Sequence, residues 1–202
     1  MNKQILSKKE ETKNRMIDAA GRSFREFGYG GIGVDGIAKA AGVTSGAFYA
    51  HLGSKNAAFN ISVSVGLDEV IAAVPHYRSE YGKDWVKAFA EYYLGKAHRD
   101  DLACGCAMAS LTPEVVKGED ETQLIYETKM KIISSLMADR LVGESAQNCL
   151  ERAWAMLSVL IGGLNIARAM KSDELSEEIA KTVIGAAIQI AGLVKANRDI
   201  IN

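Results

Sequence analysis

Proline is almost missing from this chain, with two in 202 residues, at Pro75 and Pro113. So few helix breakers, with Ala, Leu, Lys and Glu plentiful, favour helix over sheet. Cysteine is scarce too. Three thiols, two of them in Cys104-Gly-Cys106, make no disulfide framework, and a reducing cytoplasm is the expected compartment. The C-x-C spacing beside His98 lacks the second ligand pair of a zinc site, so no metal or other cofactor is expected. Phosphate-cradling G-x-x-x-x-G-K-[ST] loops and a nucleophile elbow are absent, which removes the usual sequence grounds for calling an enzyme. Long apolar runs are lacking as well. The longest, about residues 153–167, carries Ser158, Gly162, Gly163 and Asn165 and is shorter than the roughly 18 residues of a membrane span. It reads as a buried interface helix. Residues 1–13 are charged and contain no apolar signal-peptide core.

What is present is an ordered, helix-forming composition, 48% hydrophobic, in a chain long enough to bury a sizeable core. The net charge of -1 hides an asymmetry. Residues 1–56 hold nine Lys/Arg against five Asp/Glu, a net +4, and the remainder carries -5. A basic head on an acidic body points the head at a polyanion.

The chain is organised around residues 34–55, V-D-G-I-A-K-A-A-G-V-T-S-G-A-F-Y-A-H-L-G-S-K. Ile37, Ala38 and Ala41 fall at helical spacing. Gly42 can turn left-handed and stop that helix, and Val43 can plug the space under the turn. Thr44 or Ser45 can cap the next helix. Two short helices so joined make a helix-turn-helix whose second member can enter a DNA major groove.

The run Ile37-Ala38-x-x-Ala41-Gly42-Val43-Thr44-x-Gly46-x-x-Tyr49-x-His51-Leu52-x-Ser54-Lys55 resembles the DNA-binding signature of the TetR family of bacterial transcriptional regulators. The resemblance covers about the first quarter of the chain. It implies an all-α homodimer with a helix-turn-helix domain over residues 1–56 and a ligand-binding and dimerisation domain over 57–202. It also implies a cytoplasmic repressor that leaves a palindromic double-stranded operator when a small-molecule effector binds. The residues matching Tyr49, His51 and Lys55 are then expected to grip phosphates, with those matching Ser45 and Ala47 near base edges. Since Gly46, Ala47 and Ala50 offer no hydrogen bonds, readout is expected to lean on Thr44, Ser45, methyl contacts or DNA shape. The family's hydroxyl-bearing connector is replaced here by Ile32 and Gly33, so the bracing helix is expected to start without a side-chain cap.

Periodicity sets the remaining elements. Met16, Ala20, Phe24 and Phe27 mark one face of a first helix over 9–27, ended by Gly28. A long helix is expected from Ser54 to Val74, with Phe59, Val63, Leu67 and Val70 on one face and Pro75 ending it. Further helices are expected over 84–96, 119–141, 145–170 and 173–197, capped at Ser145 and Asp173. The last two are apolar on wide faces and rich in small residues, including Gly162, Gly163 and Gly185, which suits packing against a second copy.

Trp85, Phe89, Tyr92, Tyr93, Met108, Tyr126, Met130 and Trp154 are candidates to line a ligand cavity, with His98 and Asn165 orienting the ligand. Core packing is the simpler role at any one of them. The stretch Gly105-Cys106-Ala-Met108-Ala-Ser-Leu111-Thr-Pro-Glu114-Val115 resembles the region where some family members sense electrophiles or oxidants through a cysteine. Cys106 is therefore a candidate sensor if reachable and partly ionised at a helix start. A small buried hydrophobe, the commonest fate of a free cysteine, is the simpler reading. Cys104 is a candidate resolving partner, and Cys149 reads as structural. Two rival functions are a thiol enzyme using Cys106 and an apolar-ligand carrier without DNA activity.

Overall fold

The computed structural model describes residues 7–192. Among them the secondary structure is helical: α1 (Lys8–Gly31), α2 (Val34–Ala40), α3 (Ser45–Leu52), α4 (Lys55–Tyr81), α5 (Trp85–Tyr93), α6 (Lys96–Asp100), α7 (Ala107–Ser110), α8 (Thr112–Val115), α9 (Asp120–Ala138), α10 (Ala146–Ala169) and α11 (Asp173–Ala191). The all-α expectation holds.

Local chemistry sets most of the boundaries. Ser7 and Glu10 form a capping box at the start of α1, each accepting the other's backbone amide. Gly28, at φ 72° and ψ 170°, breaks the helical path inside α1 where a breaker was expected. Thr44, Ser54, Ser145 and Ser172 each accept the amide of the third residue of the following helix. Ser172 rather than Asp173 therefore caps α11. The connector before α2 has no side-chain cap, as the Ile32-Gly33 departure implied.

Four expectations are corrected. Phe27 is not a core residue. It lies one residue before the break at Gly28 and is 52% exposed, while Met16, Ala20 and Phe24 are buried. Pro75 does not end α4, which runs on to Tyr81. Proline removes one backbone donor and crowds the carbonyl four residues earlier. The continued helix buries Arg78 and sets Tyr77 edge-on to Phe89 at 5.6 Å between ring centroids. The helix expected over 84–96 is two, because Leu94 and Gly95 leave the helical path between α5 and α6. Finally, α10 is 24 residues long and passes a membrane-span test on length and mean hydropathy (1.2), as does the segment 55–100 (1.5). In the apolar window of α10 only 39% is buried within the chain. The expectation for the last helix reached Asn197; residues beyond 192 lie outside those described.

The core is continuous from head to body. Met16, Phe24, Ile37, Phe48 and Leu52 join Phe59, Val63 and Leu67 of α4, which also packs against α5 and α9. Polar contacts fasten the N-terminal half of α4 to α9: Thr122 donates to Asn60, Asn60 to Glu121, and Asn56 to Glu119. The helices α10 and α11 form the most extensively packed pair.

Gly163 makes that pairing possible, since a Cβ there would meet Val183 at 2.6 Å. A Gly163→Leu substitution is expected to cost about 1–3 kcal/mol by overpacking. Urea denaturation should show it as a lower midpoint with an unchanged slope.

Candidate nucleic-acid interface and effector clefts

The turn between α2 and α3 closes as the spacing requires. Gly42 sits at φ 65°, its amide donates to Lys39, and the Val43 amide donates to Ala38. This is the Schellman arrangement, which pairs the last carbonyls of α2. Val43 packs against the core beneath it. Phe48 and Leu52 hold α3 from inside, so the opposite face is turned outward. Tyr49 is 53% exposed and Ala50 is exposed, while Ala47 and His51 are half-buried on the flanks.

Two contacts add to what spacing suggested. The Ser45 hydroxyl donates to the Asp35 carboxylate on α2, which ties the start of α3 to its bracing helix. No sequence signal paired Asp35 with Ser45, ten residues away. The Lys55 ammonium, at the start of α4, lies 4.4 Å from the centre of the Tyr29 ring. Tyr29 is held in turn by Phe24 and Phe59. Thr44 is used as the cap of α3, accepting from the Ala47 amide at 3.2 Å.

The residues proposed to line a cavity are divided by the structure. Phe89, Tyr92, Tyr93, His98 and Cys106 come together with Cys104 and Glu69 around a cleft of about 110 Å³ between α4, α5 and the loop before α7. His98 meets the Tyr92 ring at 4.6 Å, and its Nδ1 lies 3.2 Å from the Tyr93 carbonyl. Burial lowers the His98 pKa. Tyr126, Met130 and Trp154 line a different, apolar hollow of about 350 Å³ between α9 and α10.

Three candidates lie in neither. Trp85 is buried against the Arg78 guanidinium, Met108 is fully buried, and Asn165 donates to the Ala109 carbonyl at 3.4 Å. Packing accounts for the first two.

The structure agrees with the simpler reading of Cys106, a small buried hydrophobe, over the sensor reading. Cys106 precedes α7, but that helix has four residues and the thiol is buried. Burial pushes its pKa up, away from a ready thiolate. Its polar neighbour is the Tyr93 hydroxyl, which is buried without a hydrogen bond of good geometry. Cys104 is the exposed thiol. Arg22 of α1 donates to its sulfur at 2.7 Å, and Arg25 donates to the Ala103 carbonyl at 2.7 Å. Two arginines of the head therefore grip the loop that carries Cys104, through contacts 78 to 82 residues apart in sequence. Cys149 is buried and donates to the Leu141 carbonyl. Among the described residues no group of three or more His, Cys, Asp or Glu is placed to hold a metal.

Residues 16–60 match the model of the bacterial regulatory proteins, tetR family. No curated protein sequence matches the chain significantly. Solved structures do. The reduced form of NemR from E. coli is similar with a TM-score of 0.73 at 16% identity, over 92% of this chain and 98% of that one. A TetR-family regulator from Cytophaga hutchinsonii gives 0.74 at 17%, over 95% and 98%. A TetR regulator from Legionella pneumophila gives 0.72 at 18%, over 92% and 99%. These likenesses concern the fold, and the matched segment is the helix-turn-helix described above. Residues 16–60 are thus similar to the DNA-binding segment of the bacterial regulatory proteins of the tetR family, and the described length of the chain shares the fold of solved TetR-family regulators.

Proposed function

We propose that this chain is a ligand-responsive repressor that binds a palindromic operator as a homodimer and releases it when a small molecule enters the body. The observation that carries the reading is the outward face of α3, with Tyr49 exposed and its N-terminal end open, on a head of net charge +4. We place the head at residues 1–56, the body at 57–202 and the protein in the cytoplasm. Tyr49, His51 and Lys55 are assigned to phosphates, which position a protein without reading sequence. Thr44, Ser45 and Ala47 are assigned to the groove. The Ser45 proton is committed to Asp35, so its oxygen offers lone pairs, which suit the amino groups of cytosine or adenine.

The uncovered apolar face of α10 supports a dimer through the last two helices. Trp154 is 37% and Ile166 55% exposed, and Ile188 on α11 is also exposed. A Cβ at Gly162 or Gly185 would meet nothing within 4 Å of its own chain. Such openness fits close approach of a second copy.

A second reading concerns the signal. The exposed Cys104, bridged to the head by Arg22, supports a thiol-borne trigger better than the buried Cys106 does. Alkylation of Cys104 would add bulk where the Arg22 guanidinium sits. The loop and α1 would then have to part.

Lys55→Ala should weaken binding about equally on operator and unrelated duplexes, whereas Ser45→Ala and Asp35→Asn should hurt the operator more. Gel-shift titrations on both duplexes check this, and equal losses from all three variants would sink the division of roles. For assembly, the chain should sediment as a dimer at micromolar concentration. Gly185→Leu should weaken the dimer by about 1–3 kcal/mol while leaving the helix content intact. For the signal, iodoacetamide should release DNA from wild type and from Cys106→Ser but not from Cys104→Ser. Release from none of the three would leave a non-covalent ligand as the trigger, and release from all three alike would move the alkylated site away from Cys104.

A further inference from the structure

A cleft of about 230 Å³ opens between α1 and α4, at the seam of head and body. Two glycines line it. A Cβ at Gly21 would meet only the Arg25 guanidinium, at 3.8 Å, so the helices are not pressed together there. A Cβ at Gly66 would lie 3.5 Å from the same guanidinium and would strike Ala107. The Arg25 head group therefore lies between the two helices. Its Nε is used on the Ala103 carbonyl, and its two Nη groups make no hydrogen bond among the described residues. They form a fork of donors facing the cleft, the geometry that receives a carboxylate.

The rest of the lining has the opposite sign or none. Asp18 stands two turns before Arg25 on α1, about 10 Å along the helix axis. Glu69 stands on α4, and both carboxylates are exposed. Ile17 and Val65 supply the apolar part. A simple anion meets two carboxylates here, and a simple cation meets the arginine. A ligand carrying both charges on a short apolar body satisfies every wall. The volume equals the liquid share of about eight waters, which suits an amino acid with a branched side chain.

We infer that this seam cleft binds a small zwitterion, an α-amino acid of apolar side chain, with its carboxylate on Arg25 and its ammonium on Asp18 and Glu69. A ligand so placed bridges α1 and α4, the two helices whose relative seating positions α3. Its binding is thereby linked to the DNA affinity of the head, and linkage makes the effect reciprocal.

The test uses the full chain without DNA, so it stands apart from the operator assignment. L-leucine, 4-methylpentanoate and 3-methylbutylamine are titrated by calorimetry. Leucine should bind, and each single-charge analogue should bind at least about tenfold more weakly, because one wall is left unpaired. Glu69→Gln should weaken leucine about tenfold and leave 4-methylpentanoate no weaker. Gly21→Leu, whose side chain fills the cleft, should abolish leucine binding. If that variant fails to fold, Glu69→Gln decides. Absent leucine binding, equal binding of the three compounds, or leucine binding that Glu69→Gln leaves unchanged would overturn the assignment.

Discussion

The continuity of α4 is the constraint on which the rest of the molecule depends. Twenty-seven residues in one helix span about 40 Å, from the end of the recognition helix to the aromatic cluster of the body. Its first turn carries Lys55 under the head, and its buried stripe of Phe59, Val63 and Leu67 is shared by both halves of the core. The proline in its last third costs about 3 kcal/mol in an ordinary helix interior. That cost is offset by what lies beyond it, since Tyr77 stacks on Tyr81 and meets Phe89, and Arg78 is buried against Trp85. The tilt of this single rod bears directly on α3.

Around the rod, head and body are held by a small number of specific polar contacts. Arg22 and Arg25 reach from α1 to the loop at 103–104, and Arg168 reaches from α10 to the His98 carbonyl and the Ser110 hydroxyl. The loop before α7 is thus clasped from the head on one side and from the body on the other. It also lines the cleft that holds Tyr93, His98 and both nearby cysteines. Material entering that cleft meets a segment whose neighbours include the DNA-binding head, which is a physical route for communication between them.

In the proposed DNA-bound state α3 would be poor in readers: Gly46, Ala47 and Ala50 offer methyl or backbone surface, so hydrogen-bonded readout would fall on Ser45 and its partner Asp35.

Local chemistry in the sequence determined much of this. The helix-turn-helix follows from Gly42, the Thr44 cap and the apolar spacing of Ile37 and Ala38, because caps and left-handed glycines act within a few residues. The break at Gly28, the Ser54 and Ser145 caps, the buried Cys149 and the Tyr49 face were legible for the same reason. Tertiary structure decided what depends on contacts made far along the chain. Pro75 reads as a stop until Phe89 and Trp85 pack against the turns that follow it. Phe27 reads as core until Gly28 ends the face it sits on. Cys106 stays open between buried hydrophobe and sensor until burial decides it, while Arg22, 82 residues away, meets Cys104, a pairing no local signal announces. Burial and charge pairing are properties of the folded neighbourhood, and periodicity along one helix carries no record of which distant side chain will arrive there.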